Sequence, residues 1–106
     1  MALSECWIND DTYDNVDWSV NSGATGSSGT GPDTYGDHTS GVGKYLYTET
    51  SSINSQRADV LSPTFDLTNY TGSNISFWYH MLGTNMGTLN VDLYYDGTWH
   101  NNITVS

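Results

Sequence analysis

The stretch NISFWYHMLGTNMGTLNVDLYYDGTW, residues 74–99, contains the strongest indication of the fold. In residues 74–82, large side chains alternate onto both faces of an extended chain, which predicts an aromatic-rich central β-strand. Residues 88–95 alternate more cleanly between apolar and polar side chains, which predicts a strand with one inward face. A hairpin connection at residues 83–87 is expected between the two strands. The side chains predicted to point inward from the second strand are Leu89, Val91, Leu93 and Tyr95.

Shorter segments predict further strands. Residues 44–49, KYLYTE, alternate in a way that favours a strand packed on both faces, and residues 16–20 and 57–62 are shorter strand candidates. The Asp-Gly pair at residues 96–97 predicts a tight turn, and residues 101–106 are expected to form the strand that follows it.

Signals for helices are almost absent. Residues 21–43 are dominated by Gly, Ser, Thr and Asp, which favour turns over continuous helical hydrogen bonding, so we expect a long irregular connection there. Short strands with glycine-rich turns predict an all-β fold, an antiparallel β-sandwich of jelly-roll type. Because strand-like sequence extends to both ends, we expect a single domain over residues 1–106 that is incomplete at both ends.

The charge balance excludes some partners. The 106-residue chain has a net charge of -10, with twelve acidic residues against only Lys44 and Arg57. A surface of this charge repels polyphosphates, which argues against nucleic acid as a partner. The single cysteine, Cys6, has no partner for a disulfide bond and is expected to be a buried bystander. No stretch approaches the roughly 20 apolar residues of a membrane-spanning helix.

Two short motifs suggest active sites. Asp37, His38, Thr39 and Ser40 are adjacent, whereas a catalytic triad needs side chains that converge from separate segments, so a structural turn is the favoured interpretation. The GVGK sequence at residues 41–44 is followed by Tyr, where a phosphate-binding loop needs Ser or Thr and then a helix. We therefore expect neither a nucleotide site nor an enzyme.

The sequence resembles the MAM domain, named for meprin, neuropilin and receptor tyrosine phosphatase mu. The similar segments are WINDDTYDNVDWSV, SSGTGPDTYGDHTSGVGKYLYTETSS, RADVLSPTFDL and ISFWYHMLGTNMGTLNVDLYYDGTW, in the order of the family. The resemblance implies a jelly-roll sandwich of extracellular proteins that mediates adhesion or partner recognition. It extends over roughly the first two-thirds of such a domain, without the opening glutamate, the paired cysteines or the final strands of the family.

The resemblance also implies a structural calcium ion. Of the ligands that it implies, only Asp37 is matched in this sequence, and calcium takes about six to eight oxygens, so a partial site of weak affinity is expected. A second oxygen-rich run lacks the spacing of a calcium loop, and a solvated acidic loop is favoured over a metal site there. The residues of this run are Asp10, Asp11, Asp14, Asn15 and Asp17.

The aromatic residues and the asparagines suggest surface roles. Exposed aromatic rings suit the apolar faces of sugars, and Trp99 and Tyr95 are the candidates for such binding. Packing is favoured for the aromatic residues of the predicted strands, which are Trp18, Tyr45, Tyr47, Phe77, Trp78 and Tyr79. If the source is eukaryotic, the Asn-x-Ser/Thr sequences are glycosylation acceptors at Asn69, Asn74 and Asn102.

These observations predict a non-catalytic, extracellular recognition module, either secreted or part of a surface protein. Its expected partner is a protein or glycan on a cell surface or in the matrix, without nucleic acid and without membrane insertion by this segment. Two alternatives stay open, a carbohydrate-binding jelly roll and an accessory domain of a secreted protease or other hydrolase.

Overall fold

The computed structural model describes residues 6–27, 32, 36–49, 56–84 and 86–103. Within these residues the regular elements are all β-strands, which confirms the all-β prediction. Six short strands are present: β1 (Ile8–Asn9), β2 (Ser19–Asn21), β3 (Tyr45–Tyr47), β4 (Val60–Leu61), β5 (Leu93–Tyr95) and β6 (Thr98–His100).

The strands pair into three antiparallel two-stranded sheets. β1 pairs with β4, so that Ile8 lies opposite Leu61, and β2 pairs with β3, so that Val20 lies opposite Leu46. These two sheets join segments that are distant in the sequence. β5 and β6 form a local hairpin.

The hairpin turn was predicted from the Asp-Gly pair. Asp96 and Gly97 both have positive φ values, 51° and 73°. This combination is typical of a type I′ turn, whose backbone twist matches that of the two flanking strands. The turn prediction is therefore confirmed.

Four predicted strands are confirmed only in part. β2 overlaps the segment predicted at residues 16–20 only at Ser19 and Val20 and extends to Asn21, and β3, β4 and β5 each occupy two or three residues of the segments predicted for them. A strand lasts only as long as its partner offers backbone groups, and each partner is equally short. β1 and β6 were not predicted.

The prediction of a central strand at residues 74–82 is wrong, because the structure has no strand there. Ile75 is 67% exposed and Trp78 is 72% exposed. Alternation in the sequence indicates an extended chain, but a strand also needs a partner, and the described residues provide none for this segment. The hairpin predicted at residues 83–87 is consequently absent from the described part of this region. Of the last predicted strand, residues 101–103 are not in a strand and residues 104–106 lie outside the described residues.

The aromatic side chains in or beside β2 and β3 are more buried than those of residues 74–82. Trp18, Tyr45 and Tyr47 are half-buried, in agreement with a packing role, whereas Phe77 and Tyr79 are exposed, as is Trp78. The packing prediction is wrong for these last three. Among the described residues no apolar side chain is fully buried. A two-stranded sheet without a second layer leaves its faces in contact with water.

Part of the predicted alternation remains in the second strand segment. Leu89 and Val91 are half-buried, while Asn90 and Asp92 are exposed. The pattern is lost beyond these residues, because Leu93 and Tyr95, predicted to point inward, are 47% and 49% exposed.

One asparagine holds the first loop in place. The side-chain Oδ1 of Asn9 accepts a hydrogen bond from the backbone N–H of Trp18 at 2.9 Å, and its Nδ2 donates to the Trp18 carbonyl at 3.0 Å. The indole Nε1 of Trp18 donates to the carbonyl of Ala58 at 2.9 Å. The loop between β1 and β2 is therefore attached to the segment that precedes β4.

Candidate functional site

The loop that precedes β3 is organised around the carboxylate of Asp37. Its Oδ1 accepts hydrogen bonds from the Ser40 hydroxyl and from the Gly43 N–H, both at 2.6 Å. Its Oδ2 accepts one from the Ser40 N–H at 3.0 Å, and the Gly41 N–H donates to the Asp37 carbonyl at 3.0 Å. We call residues 36–43 the Asp37 loop.

These donors stabilise the ionised form of Asp37. They lower the pKa of this carboxyl from 3.8 to about 2, and the Ser40 hydroxyl is the largest cause, followed by the Ser40 N–H. Protonation makes the Asp37 carboxyl a weaker acceptor for each of these donors, so the hydrogen bonds of the loop depend on the negative charge of Asp37.

Removal of the Ser40 hydroxyl tests this dependence. In Ser40→Ala, we expect the pKa of Asp37 to rise towards its usual 3.8, because the largest cause of the lowered value is lost. The folded pKa lies below the unfolded one, so this group stabilises the fold above about pH 4 and loses that contribution as the pH falls towards 2. Ser40→Ala should therefore flatten the rise of the unfolding free energy with pH in this window.

The measurement is an NMR titration of the Asp37 side-chain carboxyl carbon, together with urea unfolding at several pH values. Ser62→Ala is the matched control, because the Ser62 hydroxyl donates to the carbonyl of the adjacent Pro63 and not to a carboxylate. An Asp37 pKa that is the same in Ser40→Ala and in the parent chain would contradict the assignment.

The four adjacent residues of the Asp-His-Thr-Ser motif do not form a catalytic relay. Ser40 donates directly to Asp37, whereas a triad places the imidazole between the carboxylate and the nucleophile. The His38 ring instead stacks on the indole of Trp78, with centroids 3.8 Å apart and planes inclined by 14°. The chain then enters β3 at Tyr45 and not a helix, which agrees with the structural interpretation of the GVGK sequence.

Asp37 alone does not make a calcium site in this structure. Both of its oxygens accept hydrogen bonds from the loop. Calcium needs about six to eight oxygens. The described residues around Asp37 therefore do not fit the ion that the family resemblance implies.

We expect titration of the chain with calcium, measured by isothermal titration calorimetry, to give a dissociation constant above about 1 mM. Asp37→Asn should leave the titration unchanged, because its carboxylate is already satisfied by Ser40 and Gly43. Tight binding that disappears in Asp37→Asn would show that this carboxylate is a ligand.

The second acidic run is brought together by its loop. Asp11, Asp14 and Asp17 each offer a carboxylate oxygen, and these oxygens lie within 4.8 Å of one another. The other oxygen-rich residues have different contacts: Oδ1 of Asp10 accepts from the Thr12 N–H at 3.0 Å, and Oδ1 of Asn15 accepts from the Arg57 N–H at 3.1 Å. Exposed acidic groups are often close without a metal ion, and the described residues show no further feature of a site here.

A basic residue lies beside this acidic loop. Arg57 forms an ion pair with Asp59, with 2.8 Å between Nη2 and Oδ2, and the hydrogen bond to Asp59 raises the pKa of the guanidinium. Oδ2 of Asp14 accepts from the Asp59 N–H at 2.6 Å. The pair is exposed on the arginine side, so water screens much of its attraction.

The predicted binding residues Trp99 and Tyr95 lie in the β5–β6 hairpin but on opposite faces. Residues directly opposite in an antiparallel pair share a face, and Trp99 lies opposite Tyr94, not Tyr95. The Tyr94 and Trp99 rings are 5.2 Å apart and inclined by 53°. On the other face, Tyr95 stacks on His100 with centroids 3.9 Å apart. A single binding surface can therefore include Trp99 with Tyr94, a residue that the sequence interpretation did not select.

The remaining sequence candidates lie at the surface. Asn69, Asn74 and Asn102 are exposed, and the Asn102 N–H donates to Oδ1 of Asp92 at 2.9 Å. Cys6 is free and exposed, so the prediction of a buried thiol is wrong.

The family model for the MAM domain, meprin/A5/mu, matches residues 3–105. The chain belongs to the MAM domain family. The resemblance found in the sequence is thereby confirmed. MAM domains have a jelly-roll β-sandwich fold, so membership also confirms the predicted fold class.

Several curated proteins are similar to this MAM domain. Neuropilin-1a of Danio rerio is 35% identical over 80% of the chain, MAM domain-containing protein 2 of Mus musculus is 38% identical over 84%, and MAM domain-containing glycosylphosphatidylinositol anchor protein 2 of Homo sapiens is 38% identical over 83%. The matched region covers 9%, 13% and 10% of these proteins. The MAM domain thus spans about a tenth of the length of its relatives.

No solved structure matches the chain. Within the part of the MAM domain that the structure describes, no helix has the length and apolar character needed to cross a bilayer.

Proposed function

We propose that this MAM domain is a non-catalytic recognition module that acts outside the cell and binds a protein at a cell surface or in the matrix. The observation that carries the proposal is the family match over residues 3–105. One of its relatives is named for a glycosylphosphatidylinositol anchor, which attaches a protein to the outer face of the cell membrane. Extracellular location is proposed for this chain on that basis.

The geometry of the Asp37 loop supports a non-catalytic role. Its carboxylate and hydroxyl groups are hydrogen-bonded to each other and to the loop backbone, an arrangement that organises a turn. Exposed aromatic side chains on the β5–β6 hairpin offer a contact surface of the kind that is enriched at protein interfaces. Recognition therefore uses the surface of the domain and needs no reacting group.

The experiment attaches the domain to fluorescent beads and measures their adhesion to one another and to cells. We expect adhesion that is lost when the cell surface is treated with protease and retained after glycosidase treatment. Beads that carry another small acidic domain are the control for charge. Absence of adhesion to cells and beads alike would contradict the proposal.

A carbohydrate-binding module is the second candidate, because Trp99 is 51% exposed on the hairpin and aromatic rings stack on sugars. It predicts adhesion that is lost after glycosidase treatment, which protein recognition does not. An accessory domain of a secreted protease or other hydrolase would show binding to the substrate of the neighbouring catalytic domain.

A further inference from the structure

The β5–β6 hairpin presents an aromatic pair that faces solvent. Tyr94 is 57% exposed and Trp99 is 51% exposed, although the two rings are in contact across the strands. The type I′ turn at Asp96 and Gly97 holds the strands in register, so the pair is set by the backbone. We call Tyr94 and Trp99 the aromatic corner.

The shape of the corner favours a compact group over a flat sugar ring. Its two rings are inclined by 53° and therefore do not form one continuous plane. A cation within about 6 Å of a ring centroid is attracted by the negative face of the ring, most strongly for Trp. With their centroids 5.2 Å apart, the two rings can approach the same ammonium or guanidinium group.

The charges near the corner have the sign that a cation requires. Asp92 is exposed and lies two residues before Tyr94, on the same side of an extended chain, and Asp96 is exposed at the tip of the hairpin. Oδ1 of Asp92 accepts from the Asn102 N–H, and the described residues provide no hydrogen bond to its Oδ2. The pKa of Arg57 is raised chiefly by the hydrogen bond and charge of Asp59, its ion-pair partner, and less by the charge of Asp92.

The net charge of the whole chain also favours a cationic ligand. With twelve acidic residues and a net charge of -10, it has only Lys44 and Arg57 as cations of its own. Such a surface attracts basic partners and repels acidic ones, including sulfated or sialylated glycans.

We propose that the aromatic corner binds a lysine or arginine side chain in a basic segment of a protein partner, with Asp92 and Asp96 beside the bound cation. This inference rests on the proposed function, since it takes the partner to be a protein. Trp99 supplies the ring face that contacts the cation, and the carboxylates supply attraction and orientation.

The test is an NMR titration of the chain with a short peptide of alternating lysine and glycine. The same peptide with acetylated lysines is the uncharged control, because acetylation keeps the length and removes the charge. We expect the indole N–H signal of Trp99 to shift with the charged peptide only. Trp99→Leu should weaken binding by about 3- to 30-fold, the range that a cation–π contact supports.

Matched variants separate this contact from general attraction by an acidic chain. Trp78→Leu removes an indole that is 72% exposed elsewhere and should change the affinity by less than about twofold. Asp92→Asn should weaken binding more than Asp66→Asn, although both remove one negative charge. Equal effects of Trp99→Leu and Trp78→Leu would overturn the inference, as would a Trp99 shift with a neutral oligosaccharide but not with the lysine peptide.

Bead adhesion of the Trp99→Leu domain distinguishes the two proposals. If Trp99→Leu leaves protease-sensitive adhesion intact, the proposal that the aromatic corner binds the partner is wrong, whereas the proposal of protein recognition stands. Peptide binding that depends on Trp99, without adhesion of the parent domain to any cell, would support the corner and contradict the proposed function.

Discussion

Gly36→Ala is expected to lower the free energy of unfolding by about 2 to 4 kcal/mol. Gly36 is buried and has a φ of +72°, a conformation that costs a non-glycine residue about 1–2 kcal/mol. An added Cβ would lie 3.2 Å from the Gly41 carbonyl oxygen and 3.3 Å from the Gly23 nitrogen. Both contacts are backbone atoms, whose displacement adds about 1–3 kcal/mol.

Urea unfolding, monitored by tryptophan fluorescence, measures this loss. Gly26→Ala is the matched control, because nothing lies within 4 Å of its added Cβ and its φ is not positive. The entropy that alanine removes from the unfolded chain is the same in both variants, so it cancels in the comparison. Equal stability of the two variants would show that the loop adjusts without cost.

Gly43, the last residue of the Asp37 loop, offers a further test of the hydrogen bonds to the Asp37 carboxylate. The added Cβ of Gly43→Ala would lie 2.7 Å from Oδ1 of Asp37, closer than such contacts allow. The carboxylate must then move, so the pKa of Asp37 should rise in this variant and not in Gly87→Ala, where nothing lies within 4 Å of the added Cβ.

Asn9→Ala should lower the free energy of unfolding by about 2 kcal/mol. The substitution removes both hydrogen bonds that hold the backbone of Trp18, and each is worth about 1 kcal/mol. Asn9 positions the backbone of Trp18, and the Trp18 indole in turn donates to the Ala58 carbonyl just before β4. We therefore expect the substitution to loosen the attachment of the β1–β2 loop to this segment. Urea unfolding and amide hydrogen exchange at Trp18 measure the effect.

Two further asparagine variants serve as an intermediate case and a control. Asn9→Asp keeps the acceptor for the Trp18 N–H and loses the donor to its carbonyl, so an intermediate loss is expected. Asn90→Ala removes an exposed asparagine and should change stability by less than about 0.5 kcal/mol. If Asn9→Ala resembles Asn90→Ala, the asparagine does not hold the loop.

The candidate site was predictable where it depends on neighbours in the sequence. The Asp37 loop spans a few residues, and Asp, Ser and Gly in this order favour side-chain bonds to nearby backbone N–H groups. The stack of His38 on Trp78 had no such signal, because forty residues separate the two rings in the sequence. The aromatic corner is an intermediate case. The hairpin was predictable, but only its register shows that Trp99 lies opposite Tyr94 and not opposite Tyr95.

The all-β character, the Asp-Gly turn, the alternation at residues 89–92 and the family were all predictable from the amino-acid sequence. These depend on local backbone preferences and on short motifs, which each segment expresses without help from distant parts of the chain. Long-range contacts settled which predicted strands find partners, that β1 pairs with β4, and that His38 stacks on Trp78. Pairing between distant segments must offset the entropy of closing the intervening loop, and that balance depends on partners that no local pattern specifies.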